Sequence, residues 1–105
     1  KDPLVRQALA LMRDNVETPM PLTAVAHALS CQPRTLDRRF RARLGAPPGV
    51  VYRDLRLAAA RRLLETTSLS VGETALRCGY DSPAALSRAM RRRYGMSPSQ
   101  LRVAG

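Results

Sequence analysis

The chain has 105 residues, with 18 Lys and Arg against 8 Asp and Glu, which gives a formal charge of +10. This length fits one compact domain or two very small ones, and its core is too thin to enclose a large active site. No run of about 18 uncharged apolar residues is present to span a bilayer. The excess of cations indicates a polyanionic partner, with nucleic acid ahead of a membrane surface.

Residue types suited to metal binding or catalysis are scarce. The chain has two cysteines, Cys31 and Cys78, without CxxC spacing, and a single histidine, His27, too few for a four-ligand zinc site. Each cysteine closes an apolar stretch, which predicts reduced core residues in a cytoplasm. His27 has no neighbouring nucleophile or carboxylate, and there is no Gly-rich phosphate loop. We therefore expect no metal, no cofactor and no enzymatic activity.

An all-α fold is predicted, because aromatic residues make up only 4% of the chain and Ala, Leu and Arg dominate. A first helix begins at Pro3 behind a cap at Asp2 and ends near 15–18. A short second helix follows Pro21, and a third runs from Pro33 to a left-handed cap at Gly45. The residues expected to face inward are Val5, Ala8, Leu9 and Met12, then Leu22, Val25, Ala26 and Leu29, then Leu36 and Phe40.

A longer central helix follows the break at Pro47, Pro48 and Gly49 and ends near Glu65. Its expected inward residues are Tyr52, Leu55, Leu57, Ala59 and Leu63.

The rest of the chain repeats the first part. Shifting residues 33–48 by 50 positions gives seven identities in sixteen, where chance would give about one. The short helices upstream align at an offset of 49 instead, so the second copy has one extra residue in its turn. Ser70 and Glu73 are spaced as a capping box that opens the second copy, and Ser82 caps its last main helix.

Each copy has the pattern of a helix-turn-helix, namely a short helix, a turn and a second helix rich in arginine. The small residues Ala26 and Ala75 allow two helices to cross closely, and Ser30 and Gly79 stand where the turn needs a positive φ. A plain helical hairpin is the alternative. Corresponding arginine stripes favour a polyanion partner, because like charges on one face repel one another. The stripes consist of Arg34, Arg38 and Arg41, and of Arg88 with Arg91 or Arg92.

Three segments together resemble the DNA-binding domain of the AraC/XylS family of bacterial transcription regulators. They are the stretch from Leu22 to Gly45, the pairs Arg56-Leu57 and Ala60-Arg61, and Cys78-Gly79-Tyr80 followed by Gly95-Met96-Ser97-Pro98. The resemblance covers residues 4–102 and implies about seven helices in one domain, 1–105. Two homeodomain-like three-helix subdomains, 4–46 and 69–103, would be joined by a linker helix, 49–66. The implied recognition helices are 33–43 and 83–93.

The resemblance also implies an N-terminal sensor or dimerisation domain upstream of the chain. The opening of the chain, with Asp2-Pro3-Leu4 and Leu11-Met12-Arg13-Asp14-Asn15, most resembles the branch whose sensor is a DJ-1/glutamine-amidotransferase-like domain. An activator acting at the nucleoid in the cytoplasm, with RNA polymerase as a further partner, is in keeping with the family.

The family's positions that read bases fall on Arg34, Asp37 and Arg38 in the first copy, and on Pro83, Ala84, Ala85 and Arg88 in the second. Arginine suits guanine O6 and N7, whereas Asp37 either accepts from a cytosine amino group or pairs with a neighbour such as Arg41. Alanine offers only a methyl contact to thymine, so we expect the first copy to supply most of the base-specific hydrogen bonds. The residues expected at phosphates are Thr35, Arg39, Arg41, Ser82, Ser87, Arg91 and Arg92.

Two recognition helices on one chain predict a bipartite site on double-stranded DNA, with its halves about one helical turn, roughly 34 Å, apart. The competing interpretations are a basic nucleic-acid-binding or helical interaction module without sequence specificity, and an RNA or membrane-surface module. The sequence lacks an aromatic platform for stacking RNA bases and an apolar face opposite the arginines for a membrane.

Overall fold

The structure is a computed structural model that describes residues 2–104, with side chains to Val103. Lys1 and Gly105, the ends of the predicted domain, lie outside the described residues. The described residues form seven helices and no strand, which confirms the all-α prediction. The helices are α1 (Pro3–Asp14), α2 (Leu22–Ala28), α3 (Pro33–Leu44), α4 (Pro48–Thr66), α5 (Val71–Arg77), α6 (Pro83–Tyr94) and α7 (Pro98–Ala104).

Side-chain caps begin four of these helices, including α7, where Ser97 Oγ accepts from the Gln100 amide at 3.2 Å. The Asp2 carboxylate accepts hydrogen bonds from the first-turn amides of α1. At α5, Ser70 Oγ accepts from the Glu73 amide at 3.0 Å and the Glu73 carboxylate accepts from the Ser70 amide at 2.9 Å, which confirms the capping box. Ser82 Oγ accepts from the Ala85 amide at the start of α6. By contrast, Gln32 at the start of α3 makes no side-chain cap.

Contacts divide the chain into two compact units, with the division inside α4. Unit 1 comprises the chain up to Asn15 together with Pro19–Leu55, and unit 2 comprises Val16–Thr18 and the chain from Arg56 onward. The predicted scheme treats residues 49–66 as a separate linker, whereas these contacts assign the two parts of α4 to different units. The extents of the predicted subdomains stay a prediction.

The core of unit 1 forms where α1, α2 and α3 meet around Phe40, with Tyr52 contributed by α4. The Tyr52 hydroxyl donates to the Asn15 carbonyl oxygen at 2.5 Å and accepts from the Met20 amide at 3.0 Å. One inward prediction is wrong, because Leu22 is 36% exposed. A Cβ added to Gly49 would lie 3.4 Å from Leu22 Cδ1, so Leu22 packs beside Gly49 at the edge of the core. The buried residues are Val5, Ala8, Met12, Val25, Ala26, Leu36, Phe40 and Tyr52.

The core of unit 2 is built from the later part of α4 with α5, α6 and α7. Its buried residues are Leu57, Ala60, Leu64, Ala75, Cys78, Leu86, Ala89, Met90 and Leu101. Burial raises the pKa of the Cys78 thiol, in keeping with a reduced core cysteine. Cys31 is only half-buried at the margin of the other core. Each unit therefore has its own small apolar core, to which four helices contribute side chains.

The inward stripe of α4 differs from the predicted one. Leu57, Ala60 and Leu64 are fully buried at spacings of three and four, whereas Ala59 and Leu63 are only half-buried. Leu57 agrees with the prediction, and Ala59 and Leu63 pack against the core of unit 2 as expected, whereas the burial of Ala60 and Leu64 is not predicted. Because the two parts of α4 serve different cores, one continuous stripe does not describe the helix.

Candidate nucleic-acid interface

The turns of the two helix-turn-helix units have the same backbone geometry. In unit 1 the Cys31 amide donates to the Ala26 carbonyl at 3.0 Å, and in unit 2 the Tyr80 amide donates to the Ala75 carbonyl at 2.9 Å. Ser30 has a φ of 56° and Gly79 a φ of 79°, so the predicted positive φ is confirmed at both positions. The backbone therefore enters α3 and α6 along equivalent paths.

Helix α3 presents Arg34 and Arg38 to solvent, and neither guanidinium has a partner among the described residues. Asp37 lies between them in sequence, and one of its two carboxylate oxygens, Oδ2, has a partner among the described residues. Its carboxylate accepts from Arg41 Nε at 2.8 Å, which is the alternative raised for Asp37 from the sequence. Two arginines of α3 thus have their full hydrogen-bonding capacity available, while Asp37 and Arg41 bind each other.

The remaining arginines of α3 converge on a buried carboxylate. Asp2, with 7% of its surface exposed, accepts from Arg39 Nη1 at 3.1 and 3.2 Å and from Arg43 Nε at 3.4 Å. Desolvation acts to raise the pKa of Asp2, but hydrogen bonds from the Val5 amide and from Arg39 and Arg43 outweigh it and hold the pKa below its ordinary value. Arg39, predicted at a phosphate, therefore already has an anionic partner.

Helix α6 differs from α3 in its exposed residues. Pro83 and Ala84 are exposed and Ala85 is half-buried, so the first turn offers no side-chain donor. Farther along, Arg88, Arg91 and Arg92 are exposed, and none of them is paired within the described part of the chain. The helix thus presents one cation at the position that matches Arg38 and two more near its end.

Of the hydroxyls predicted at phosphates, Thr35 and Ser82 lie at the starts of α3 and α6, and Ser87 lies in the second turn of α6. Thr35, Ser82 and Ser87 are all half-buried. Ser82 Oγ uses an acceptor position for the Ala85 amide, which leaves its proton to donate to a phosphate oxygen. Beside the start of α3, an open cleft of about 710 Å³ is lined by Thr23, His27, Ser30, Cys31, Gln32, Pro33 and Thr35.

Among residues 2–104, no group of His, Cys, Asp or Glu side chains is arranged to hold a metal ion. The same part of the chain contains no helix long and apolar enough to cross a membrane.

Comparison with known proteins gives the family. A family model described as a helix-turn-helix domain matches residues 25–104. The crystal structure of a transcriptional regulator with an AraC-type DNA-binding domain from Chromobacterium violaceum is 34% identical, has a TM-score of 0.93, and covers 96% of this chain and 90% of that chain. The chain belongs to the AraC-type helix-turn-helix family.

Two further relatives show how the AraC-type domain is used. The DNA-binding domain of AdpA, a global transcriptional factor solved in complex with a target DNA, is 38% identical with a TM-score of 0.88, over 99% of this chain and 93% of that chain. The transcriptional regulator GlxA of Rhizobium meliloti is 39% identical over 95% of this chain and 31% of its own length. The chain therefore spans less than a third of that relative. The relatives are transcription regulators, and the AraC-type domain is not an enzyme.

Two groups of contacts in the structure are not predicted from the sequence. One is the pairing of Asp2 with Arg39 and Arg43, where the sequence predicted only the cap. The other involves Arg56, which donates to the Cys78 and Gly79 carbonyls. The available signal for Arg56 was a cation beside Leu57 in a helix segment otherwise rich in Leu and Ala.

Proposed function

We propose that the chain binds double-stranded DNA sequence-specifically, as the DNA-binding domain of a bacterial transcription regulator, with α3 and α6 as recognition helices. One observation carries this proposal. The helix after each turn exposes an arginine without a partner at an equivalent place, Arg38 in α3 and Arg88 in α6. An arginine at this point of a helix-turn-helix can reach base edges in the major groove.

In unit 1, Arg34 and Arg38 are the proposed base readers. Both are exposed, and each can donate two hydrogen bonds to guanine O6 and N7. Asp37 Oδ2 is bound to Arg41 Nε, so a contact with a cytosine amino group would use Oδ1, and its proposed contribution is the smaller one. Thr35, Arg39 and Arg41 are the proposed phosphate ligands in unit 1, and both arginines keep further guanidinium N–H groups beside their carboxylate contacts.

In unit 2, Arg88 is the proposed base reader, and Ala84 and Ala85 are limited to methyl contacts with thymine. The proposed phosphate ligands are Ser82, Ser87, Arg91 and Arg92. Phosphate contacts fix the position of a protein on the duplex without reading its sequence. We therefore propose that unit 1 discriminates between sequences and that unit 2 mainly anchors.

Two recognition helices on one chain support a bipartite site with half-sites about one helical turn apart. The length of GlxA, of which this chain covers 31%, supports a further domain in the whole protein. Its assignment as a sensor of the DJ-1-like type, the action as an activator, the contact with RNA polymerase and the place at the nucleoid stay predictions of the family resemblance.

Selection of bound duplexes from a random pool tests this function. We expect enrichment of one asymmetric sequence with two conserved blocks, and weaker binding when about five base pairs are inserted between the blocks, because half a turn places them on opposite faces of the duplex. Equal recovery of all duplexes would leave only a basic module without sequence specificity. Preferential binding of duplex RNA or anionic vesicles at the same salt concentration would contradict the proposal altogether.

A further inference from the structure

A side chain of α4 holds the turn that precedes α6. Arg56 Nε donates to the Cys78 carbonyl at 2.9 Å and Arg56 Nη2 donates to the Gly79 carbonyl at 2.7 Å. The same guanidinium lies over the Tyr80 ring, with Cζ 4.4 Å from the ring centroid. One planar group thus contacts three consecutive residues of the turn.

These contacts bind carbonyl groups that α5 itself leaves without a partner. The last carbonyls of a helix have no partner within that helix, and Cys78 and Gly79 follow the end of α5. Gly79, at a φ of 79°, has more conformational freedom than any other residue type would have there. The guanidinium is a rigid planar donor, so binding two carbonyls and a ring at once fixes the direction in which the chain leaves the turn.

Unit 1 has no equivalent of this arrangement among its described residues. Its buried residues Val5, Ala8 and Met12 have the same spacing as Leu57, Ala60 and Leu64 in unit 2. In this register Leu4 takes the place of Arg56. The matching turn hydrogen bonds likewise put Cys31 in the place of Tyr80. Both the donor and the ring are therefore specific to unit 2.

We propose that Arg56 is a positioning residue for DNA reading by α6, acting through the turn of Cys78, Gly79 and Tyr80. This inference rests on the proposed function, since it assigns a role within DNA binding. Arg56 itself contacts no base. It determines whether Arg88 reaches its base edge without first ordering the turn, a cost that would otherwise reduce affinity.

Hydrogen exchange of Arg56→Gln in the 105-residue chain tests the first step. We expect faster exchange at the amides of Gly79, Tyr80 and Ala85, and unchanged exchange in α3. Arg62→Gln is the matched control, because Arg62 is exposed on the same helix and its loss removes the same charge. Arg56→Lys, which keeps the charge without the planar fork, should fall between the wild type and Arg56→Gln, and it replaces Arg56→Gln in every measurement if that variant does not fold.

A double-mutant cycle on the selected duplex tests the second step. In the wild-type and Arg62→Gln backgrounds, Arg88→Ala should raise the Kd for the selected duplex. In the Arg56→Gln background, the factor by which Arg88→Ala raises Kd should be about tenfold smaller. Arg38→Ala, in the other unit, should cost the same in all three backgrounds.

Equal losses from Arg88→Ala in the Arg56→Gln and Arg62→Gln backgrounds would overturn the proposal, and so would unchanged exchange at the turn. If the wild-type chain selects no duplex sequence, the proposed function fails and this inference fails with it. If the chain selects a sequence but the cycle is additive, only the role of Arg56 is lost.

Discussion

The two helix-turn-helix units have the same turn geometry but are stabilised by different side-chain contacts. In unit 2 the turn has glycine at its left-handed position, a Ser82 cap on the following helix and the Arg56 guanidinium across its carbonyls. In unit 1 the same positions have Ser30 at a φ of 56° and an uncapped α3. Unit 1 instead ties α3 to the start of α1 through Asp2.

The unit with more contacts at its turn has fewer proposed base-reading side chains. Unit 2 has the better-held turn but begins α6 with Pro83, Ala84 and Ala85, whereas unit 1 has the less restrained turn and exposes Arg34 and Arg38. A restrained helix suits anchoring on phosphates, because the contacts are made without ordering costs. Similar backbones in a duplicated domain thus need not share a function equally.

The largest expected effect concerns the division of base reading. Arg38→Ala should lower discrimination between the selected duplex and random DNA by about 1–3 kcal/mol, because a bidentate contact to guanine is lost. Arg88→Ala should reduce affinity for both duplexes more evenly. Titration of each variant against the two duplexes at one salt concentration measures this, and greater loss of discrimination from Arg88→Ala would reverse the assignment.

The next effect concerns the two left-handed turn residues. Gly79→Ser gives unit 2 the residue of unit 1 and should lower the free energy of unfolding by about 1–2 kcal/mol, since a side chain is strained at positive φ. Ser30→Gly relieves that strain but gains entropy in the unfolded chain, so the net stabilisation should stay below about 1 kcal/mol. Urea unfolding of the pair checks both signs, and stabilisation by Gly79→Ser would refute this account of the turns.

A smaller effect concerns the helix caps. Ser70→Ala breaks the capping box of α5 and should cost about 1 kcal/mol of stability. Gln32→Ser gives α3 the residue type that caps α6 and should stabilise unit 1 by about 0.5 kcal/mol or more. Thermal unfolding followed by circular dichroism compares them. A destabilising Gln32→Ser would mean that the first-turn amides of α3 are not accessible to a cap.

The smallest effect is confined to acid pH and to unit 1. Asp2 has a folded-state pKa below its ordinary value of 3.8, so its charge stabilises the fold above that pH and the stabilisation is lost as the pH falls through the folded-state pKa. Asp2→Asn keeps a capping side chain but removes the charge. The variant should therefore lose less stability than the wild type between pH 4 and pH 2. Parallel acid-dependence curves would contradict the ion-pair account.

Sequence reasoning predicted the features that depend on local chemistry. The positive φ of Ser30 and Gly79, the capping box at Ser70 and the left-handed cap at Gly45 each follow from a few adjacent residues. The repeat then placed these signals twice. The fold could be predicted from the sequence because two copies of one local pattern leave few alternative arrangements.

Features that depend on distant residues were not predicted. The pairing of Asp2 with Arg39 joins positions 37 apart, and no local pattern indicates which arginine of α3 turns back to the protein. The full burial of Ala60 and Leu64 in α4 was not predicted, because periodicity assumes a single core along a helix. Which arginines meet DNA stays a prediction for the same reason, since base contacts depend on a second molecule.

The ion pairs of α3 also affect how the domain responds to its ionic surroundings. Binding to DNA releases the cations condensed along the duplex, one set for each phosphate that the protein neutralises. Arg39, Arg41 and Arg43 already face carboxylates, so they displace fewer of these ions than their number suggests. The count of 18 Lys and Arg therefore overstates the salt sensitivity of the complex, and affinity should fall less steeply with ionic strength than for a surface with the same number of unpaired arginines.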